Sequence, residues 1–134
     1  MIAQLGADST ATLFTDAACK GDRSVLAYIA MKDEQFLGMR ADFGVGLTSV
    51  EAEVMSVIKG LEFLTKLGYK KVEVHSDNQV VIKVITEKDR EFTGKSLELR
   101  NLCDRYDITA VKVRGHSGIS PQDICGNIAL RMLQ

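Results

Sequence analysis

Residues 72–79 read Val72-Glu73-Val74-His75-Ser76-Asp77-Asn78-Gln79, and the stretch changes character halfway. Val72 and Val74 alternate with Glu73 and His75, the two-residue period of a half-buried strand. Ser76 to Gln79 is polar, and the VVIKVI that follows reads as a helix from about Asn78 to Glu87. Asp77 therefore stands where a strand becomes a helix. Two roles fit a carboxylate there. Asp and Asn are good turn and N-cap residues, whereas open α/β sheets bind ligands beyond the carboxyl ends of their strands. Convergence of other acids on the same point would favour the second role, and Asp77 could serve both.

Upstream, Thr48 to Leu67 carries Val54, Val57, Ile58, Leu61 and Leu64 at helical spacing, and Gly68 stops that helix. Before it, Thr12 to Ala18, Ser24 to Lys32 and Phe36 to Phe43 read as strands joined by hairpin-length turns, so they are antiparallel neighbours. Downstream come a helix over Ser96 to Tyr106, a strand over Ile108 to Val113 and a last helix over Pro121 to Leu133. The order β-β-β-α-β-α-α-β-α predicts an α/β fold with a five-stranded mixed sheet flanked by helices on both faces.

The chain has 134 residues, enough for one domain with a real core, and residues 1–10 are expected to form a flexible N-terminal extension. No apolar run is long enough for a membrane helix and no signal peptide is evident, so the expected compartment is intracellular, the cytoplasm. Three scattered cysteines fit reducing surroundings. The 17 basic residues are balanced by 18 acidic ones, so any nucleic-acid footprint must be local. Lys70, Lys71, Lys83, Lys88, Arg90, Lys95, Lys112 and Arg114 are the candidates, or else an ordinary solvated surface.

Two further acids are placed like Asp77. Asp16 sits late in an apolar strand, where a charge is costly unless it is paired or binds a metal. Thr48 and Glu51 form a capping box. Glu53 needs no such role and lies at the edge of the buried stripe, able to face the sheet. If the long helix is a right-handed crossover, the strands bearing Asp16 and Asp77 are parallel neighbours. Three carboxylates at one point cannot all stay ionised without a cation, and all-oxygen ligation suits Mg2+ or Mn2+.

At this point the chain resembles the ribonuclease H family of type 1. The resemblance rests on TDAACKGD (residues 15–22), AEVMSVIKGLEFL (52–64), SDNQ (76–79) and VRGHSG (113–118), in that order along nearly the whole chain. It implies an endoribonuclease that hydrolyses the RNA strand of RNA–DNA hybrids with two Mg2+ ions, for which Mn2+ can substitute. Asp16, Glu53 and Asp77 would be metal ligands, and His116 would help activate water or release product. Cys19, Asp22, Thr48, Asn78 and Gln79 would lie along the nucleic acid. The implied partner is the hybrid, with no membrane and no organic cofactor, and the protein is expected to be monomeric. The long basic protrusion of some members is missing, since EKDREFTGKS (residues 87–96) is too short for it.

One departure bears on chemistry. Aligned from His116, the family's fourth metal-binding carboxylate falls on Asn127, an amide with an oxygen but no charge. Two dications about 4 Å apart repel by roughly 17 kcal/mol at an effective dielectric near 20, which anionic ligands must offset. Asp123 lies one turn earlier, but Ser120-Pro121-Gln122-Asp123 also reads as a capping box, the role expected for it. Ala17 and Val50 stand where many members carry Gly and a polar residue. Asn127 and the missing protrusion keep a second expectation open, a catalytically impaired module that binds hybrid or structured RNA. A third is another nuclease or resolvase on the same fold.

Overall fold

The computed structural model describes residues 9–113 and 121–133. In chain order these form β1 (Thr10–Lys20), β2 (Arg23–Lys32), β3 (Gln35–Val45), α1 (Ser49–Lys66), β4 (Lys71–Ser76), α2 (Gln79–Thr86), α3 (Gly94–Arg105), β5 (Asp107–Lys112) and α4 (Pro121–Leu133). The sheet order is β3-β2-β1-β4-β5. β1 pairs antiparallel with β2, and β2 with β3, while β1–β4 and β4–β5 are parallel. This is the five-stranded mixed sheet that the pattern predicted. Most of the expected N-terminal extension lies outside the described residues, and its last member, Thr10, already opens β1.

Each face of the sheet carries its own apolar layer. On one, Leu13, Tyr28, Ala30, Val72 and Val74 of the strands meet Val54, Val57, Leu61 and Leu64 of α1, Val81, Val84 and Ile85 of α2, and Leu99 and Leu102 of α3. On the other, Ala18, Val25, Ala27 and Ile29 meet Cys125, Ala129 and Leu133 of α4, the one helix on this face among the described residues. The alternation of Leu13 and Phe14 between these layers is the two-residue pleat at work.

Gly60 sets how closely α1 lies on β1. A β-carbon there would come within 2.5 Å of the Leu13 side chain, so only hydrogen fits. Another close tie joins α3 to α2. Arg100 is 5% exposed, and its guanidinium donates to the carbonyl oxygens of Val84 at 2.7 Å and Ile85 at 2.9 Å. It also pairs with Asp104 at 3.1 Å. A buried cation is tolerated here because the last carbonyls of α2, which need donors, receive its protons.

Several boundaries differ from expectation. β3 runs to Val45 rather than Phe43, ending where Gly46 adopts φ +74°. α3 starts at Gly94 rather than Ser96, behind an N-cap Thr93 whose side chain makes no capping bond. Among the described residues no helix is long and apolar enough to cross a membrane.

Candidate metal centre

The β1–β4 ladder sets the first two ligands. Its register runs from Thr10↔Lys71 to Phe14↔His75, and the same offset carried two residues further brings Asp16 to Asp77. Both side chains leave the sheet on one face, since residues two apart share a side. Glu53 reaches the same point from the first turns of α1. The ligand atoms of Asp16, Glu53 and Asp77 all lie within 4.8 Å of one another, the convergence that favours a ligand-binding role over a purely capping one.

Local bonds hold this end of α1 in place. The Glu51 amide donates to Thr48 Oγ1 at 3.1 Å, and the Thr48 amide donates to Glu51 Oε1 at 3.0 Å, closing the capping box. These bonds to its charged form draw the Glu51 carboxyl below its ordinary range. With Glu51 so occupied, Glu53 is the acid left to face the strands. Ser56, one turn on, sits 2.9 Å from the Ala52 carbonyl oxygen and 3.2 Å from that of Asp16, bridging helix to strand. Ser56 was not among the residues expected at the site; its place in the stripe, between Val54 and Val57, was the signal.

Electrostatically the trio is strained. Burial, then the neighbouring charges of Asp16 and Asp77, push the Glu53 carboxyl up to about 9, partly offset by the Ala17 amide. That amide also donates to Asp16 Oδ1 at 2.8 Å. Glu53 Oε2 is buried without a hydrogen-bond partner. Beneath the site, Cys125 of α4 places its sulfur 3.9 Å from the Phe14 carbonyl oxygen, and burial raises its thiol far above the usual range.

The cap of the helix after β4 settles a choice that the sequence left open. Asn78, not Asp77, caps α2, its Oδ1 accepting from the amides of Val80 at 2.9 Å and Val81 at 3.1 Å. The carboxylate of Asp77 is thereby left for the trio. Gln79 follows as the exposed first residue of α2.

The other expected nucleic-acid residues gather at the neighbouring end of the sheet. Cys19 is exposed, its thiol raised by partial burial and by Glu53. The turn holding Asp22 is tied to the entrance of α1 by the Gly46 amide, 2.8 Å from the Asp22 carbonyl oxygen, two residues before the Thr48 cap. His116 lies outside the described residues, as does Ser120, the other half of the expected cap on α4. On that helix Asn127 is exposed, and Asp123 is 2% exposed and stands outside the trio.

Comparison with known proteins agrees with this geometry. A family model described as reverse transcriptase-like matches residues 14–108. A ribonuclease H of Nitrosospira multiformis is 32% identical over 91% of this chain and 88% of its own length. Another, from Syntrophus aciditrophicus, is 30% identical over 84% of this chain and 74% of its own. Among solved structures, ribonuclease H1 of Halobacterium salinarum superposes with a TM-score of 0.74 at 19% identity, covering 92% of this chain and 98% of that one. LC11-RNase H1, solved in complex with an RNA/DNA hybrid, gives 0.73 at 15% identity over the same shares. With a family match across most of its length and a relative of this closeness across nine-tenths of it, the chain belongs to the ribonuclease H family.

Proposed function

We propose that this protein is an endoribonuclease that hydrolyses the RNA strand of RNA–DNA hybrids with two divalent cations, Mg2+ or in its place Mn2+. The observation that carries the reading is the trio itself: three carboxylates within 4.8 Å, one of them with a buried oxygen that has no partner. A hard cation with oxygen ligands satisfies that oxygen and removes the repulsion that keeps Glu53 protonated. The donor set therefore fits the metal. When bound, such a pair of cations polarises the scissile phosphate and activates water for in-line displacement.

The chain's own residues do the rest. Asp16, Glu53 and Asp77 hold the cations, and Asn127 offers a neutral oxygen in the fourth position. His116 exchanges a proton with water or the leaving group. Thr48 and the amides at the start of α1 receive a backbone phosphate. Asn78 spends its Oδ1 on the α2 cap and keeps its amide N–H groups for a 2′-hydroxyl, beside Gln79. Cys19 and Asp22 flank the strand, and recognition through backbone and 2′-hydroxyls gives little sequence preference.

Asn127 also supports a second reading, a hybrid-binding module whose cleavage is weakened by one missing charge. An end-labelled RNA–DNA hybrid incubated with the protein and with Asn127→Asp, in Mg2+, in Mn2+ and with chelator, separates the two. Metal-dependent cutting by the protein as it stands supports the enzyme, with faster cutting by Asn127→Asp as the expected outcome. Cutting by that variant alone assigns the silence to the missing carboxylate and favours the binding module. If neither cuts, the ribonuclease reading fails, and cleavage of a DNA-only duplex would move the activity to another nuclease class.

A further inference from the structure

The outer edge of β3 carries a pattern with no role in the site just described. β3 ends the sheet, and among the described residues nothing pairs with its far side. Exposed edges of this kind are usually short, bulged or charged, because a free row of amides and carbonyls recruits other chains. Here the edge is long, and besides the charged Arg40 and Asp42 it carries exposed apolar side chains. Phe36 is 58% exposed, Met39 45%, Phe43 65% and Val45 74%, so β3 holds four of the nine exposed large apolar residues among those described.

The order of residues along the strand is self-complementary. Pairing with β2 is regular from Gly38 to Val45, bounded by a register shift at Ala30/Met31 and by the Gly46 turn. In an antiparallel pair of two β3 strands about a two-fold axis at Ala41, Arg40 faces Asp42 of the second copy. Met39 then faces Phe43, and Gly38 faces Gly44. Opposite charges meet, apolar meets apolar, and glycine meets glycine. Moving the axis to residue 40 sets Arg40 against Arg40, and moving it to residue 42 sets Asp42 against Asp42; like charges directly opposite are destabilising.

Side-chain direction supports the same register. Arg40 projects on the α1 face of the sheet, where it bonds Asp42 at 3.0 Å and Asp42 also meets Lys59 at 3.5 Å. Met39 and Phe43 project on the α4 face with Ala41, beyond the reach of α4, whose layer takes in Ala41 but neither neighbour. The axis keeps faces together, so charged residues of both copies share one side and the apolar pairs share the other.

We infer that β3 is an isologous dimer interface, occupied by β3 of a second copy in antiparallel register about Ala41. The dimer joins the two sheets into one, by main-chain hydrogen bonds for affinity and side-chain pairing for register. It departs from the monomer expected from the sequence, and it stands apart from the carboxylate trio, which lies at β1 and β4.

Sedimentation of the full chain over a dilution series tests it. A reversible species of twice the 14.7 kDa chain mass is expected. Phe43→Lys should weaken association by about tenfold, since the axis repeats each lost pair. Val111→Lys, on the opposite edge strand β5, should leave association unchanged. Met39→Glu combined with Phe43→Lys should restore the dimer, because in this register alone each glutamate faces a lysine. Both residues are exposed, so all variants fold. A monomer at every concentration overturns the proposal. So does loss of association with Val111→Lys but not Phe43→Lys, or failure of the double variant to regain the dimer.

Discussion

Replacing Glu53 by Gln isolates the charge that a cation at the trio would neutralise. The Glu53 carboxyl has an ordinary value of 4.5 and is raised to about 9 in the folded chain. A raised folded-state value means that stability is fully present below pH 4.5 and declines as pH climbs toward 9, because the unfolded chain sheds the proton first. At pH 7 the gap is nominally about 3 kcal/mol, at about 1.4 kcal/mol per unit. The site is partly open to solvent, so about half of that should survive, ~1.5 kcal/mol. A glutamine side chain at this position mimics the protonated acid at every pH. Without metal and with chelator, Glu53→Gln should therefore melt about 6 °C above the parent near neutral pH, taking about 4 °C per kcal/mol for this size. The two should converge below pH 4.5, where the parent becomes protonated in both states. Adding Mg2+ should reverse the order, raising the parent and leaving the variant unmoved. Scanning calorimetry or fluorescence melting at several pH values reads all of this. Parallel pH slopes for the two proteins, or a gap that widens in acid, would refute the reasoning.

Arg100→Met should cost about 3 kcal/mol in urea denaturation, because the Val84 and Ile85 carbonyls lose their donor. Hybrid binding should be unaffected. Gly60→Ala should destabilise by about 2 kcal/mol despite the better helix propensity of alanine, since its β-carbon would meet Leu13. In a Leu13→Ala background the same change should cost far less, and a double-mutant cycle measures the difference. Thr48→Ala should cost about 1 kcal/mol of stability through the capping box; an unchanged denaturation midpoint would show that the cap carries nothing.

Features written in short-range chemistry are legible in the amino-acid sequence. Thr48 with Glu51 announces a capping box, which frees Glu53 for the sheet, and the topology follows from strand and helix periods with hairpin-length turns. The trio is legible because its members sit at element boundaries where charge has no other use. Features decided by tertiary contacts are not. Nothing local tells whether Asp77 or Asn78 caps α2; the choice depends on Asp77 being drawn into the trio. Arg100 sits in the polar run ELRNLCDR and reads as a surface residue, yet it is buried against the end of α2. The burial of Asp123, at 2% exposure, is likewise set by the packing of α4 and not by its neighbours in the chain. The full length of β3 escapes a reading by propensity because Gly44 is a poor strand former, held there by pairing with Ser24.

The parallel pairing of β1 with β4 governs when the three carboxylates can meet during synthesis. β1, β2 and β3 emerge in succession and can zip together as local hairpins. The other side of β1 must wait until Lys71 to His75 have left the ribosome. Until then Asp77 is missing from beside Asp16, Glu53 rides on a helix with half a sheet to lean on, and the trio is incomplete. A nascent or truncated chain ending in α1 therefore lacks the trio, and it bares the flank of a strand that is central in the finished sheet. The three carboxylates come together late, with the closing of that pair.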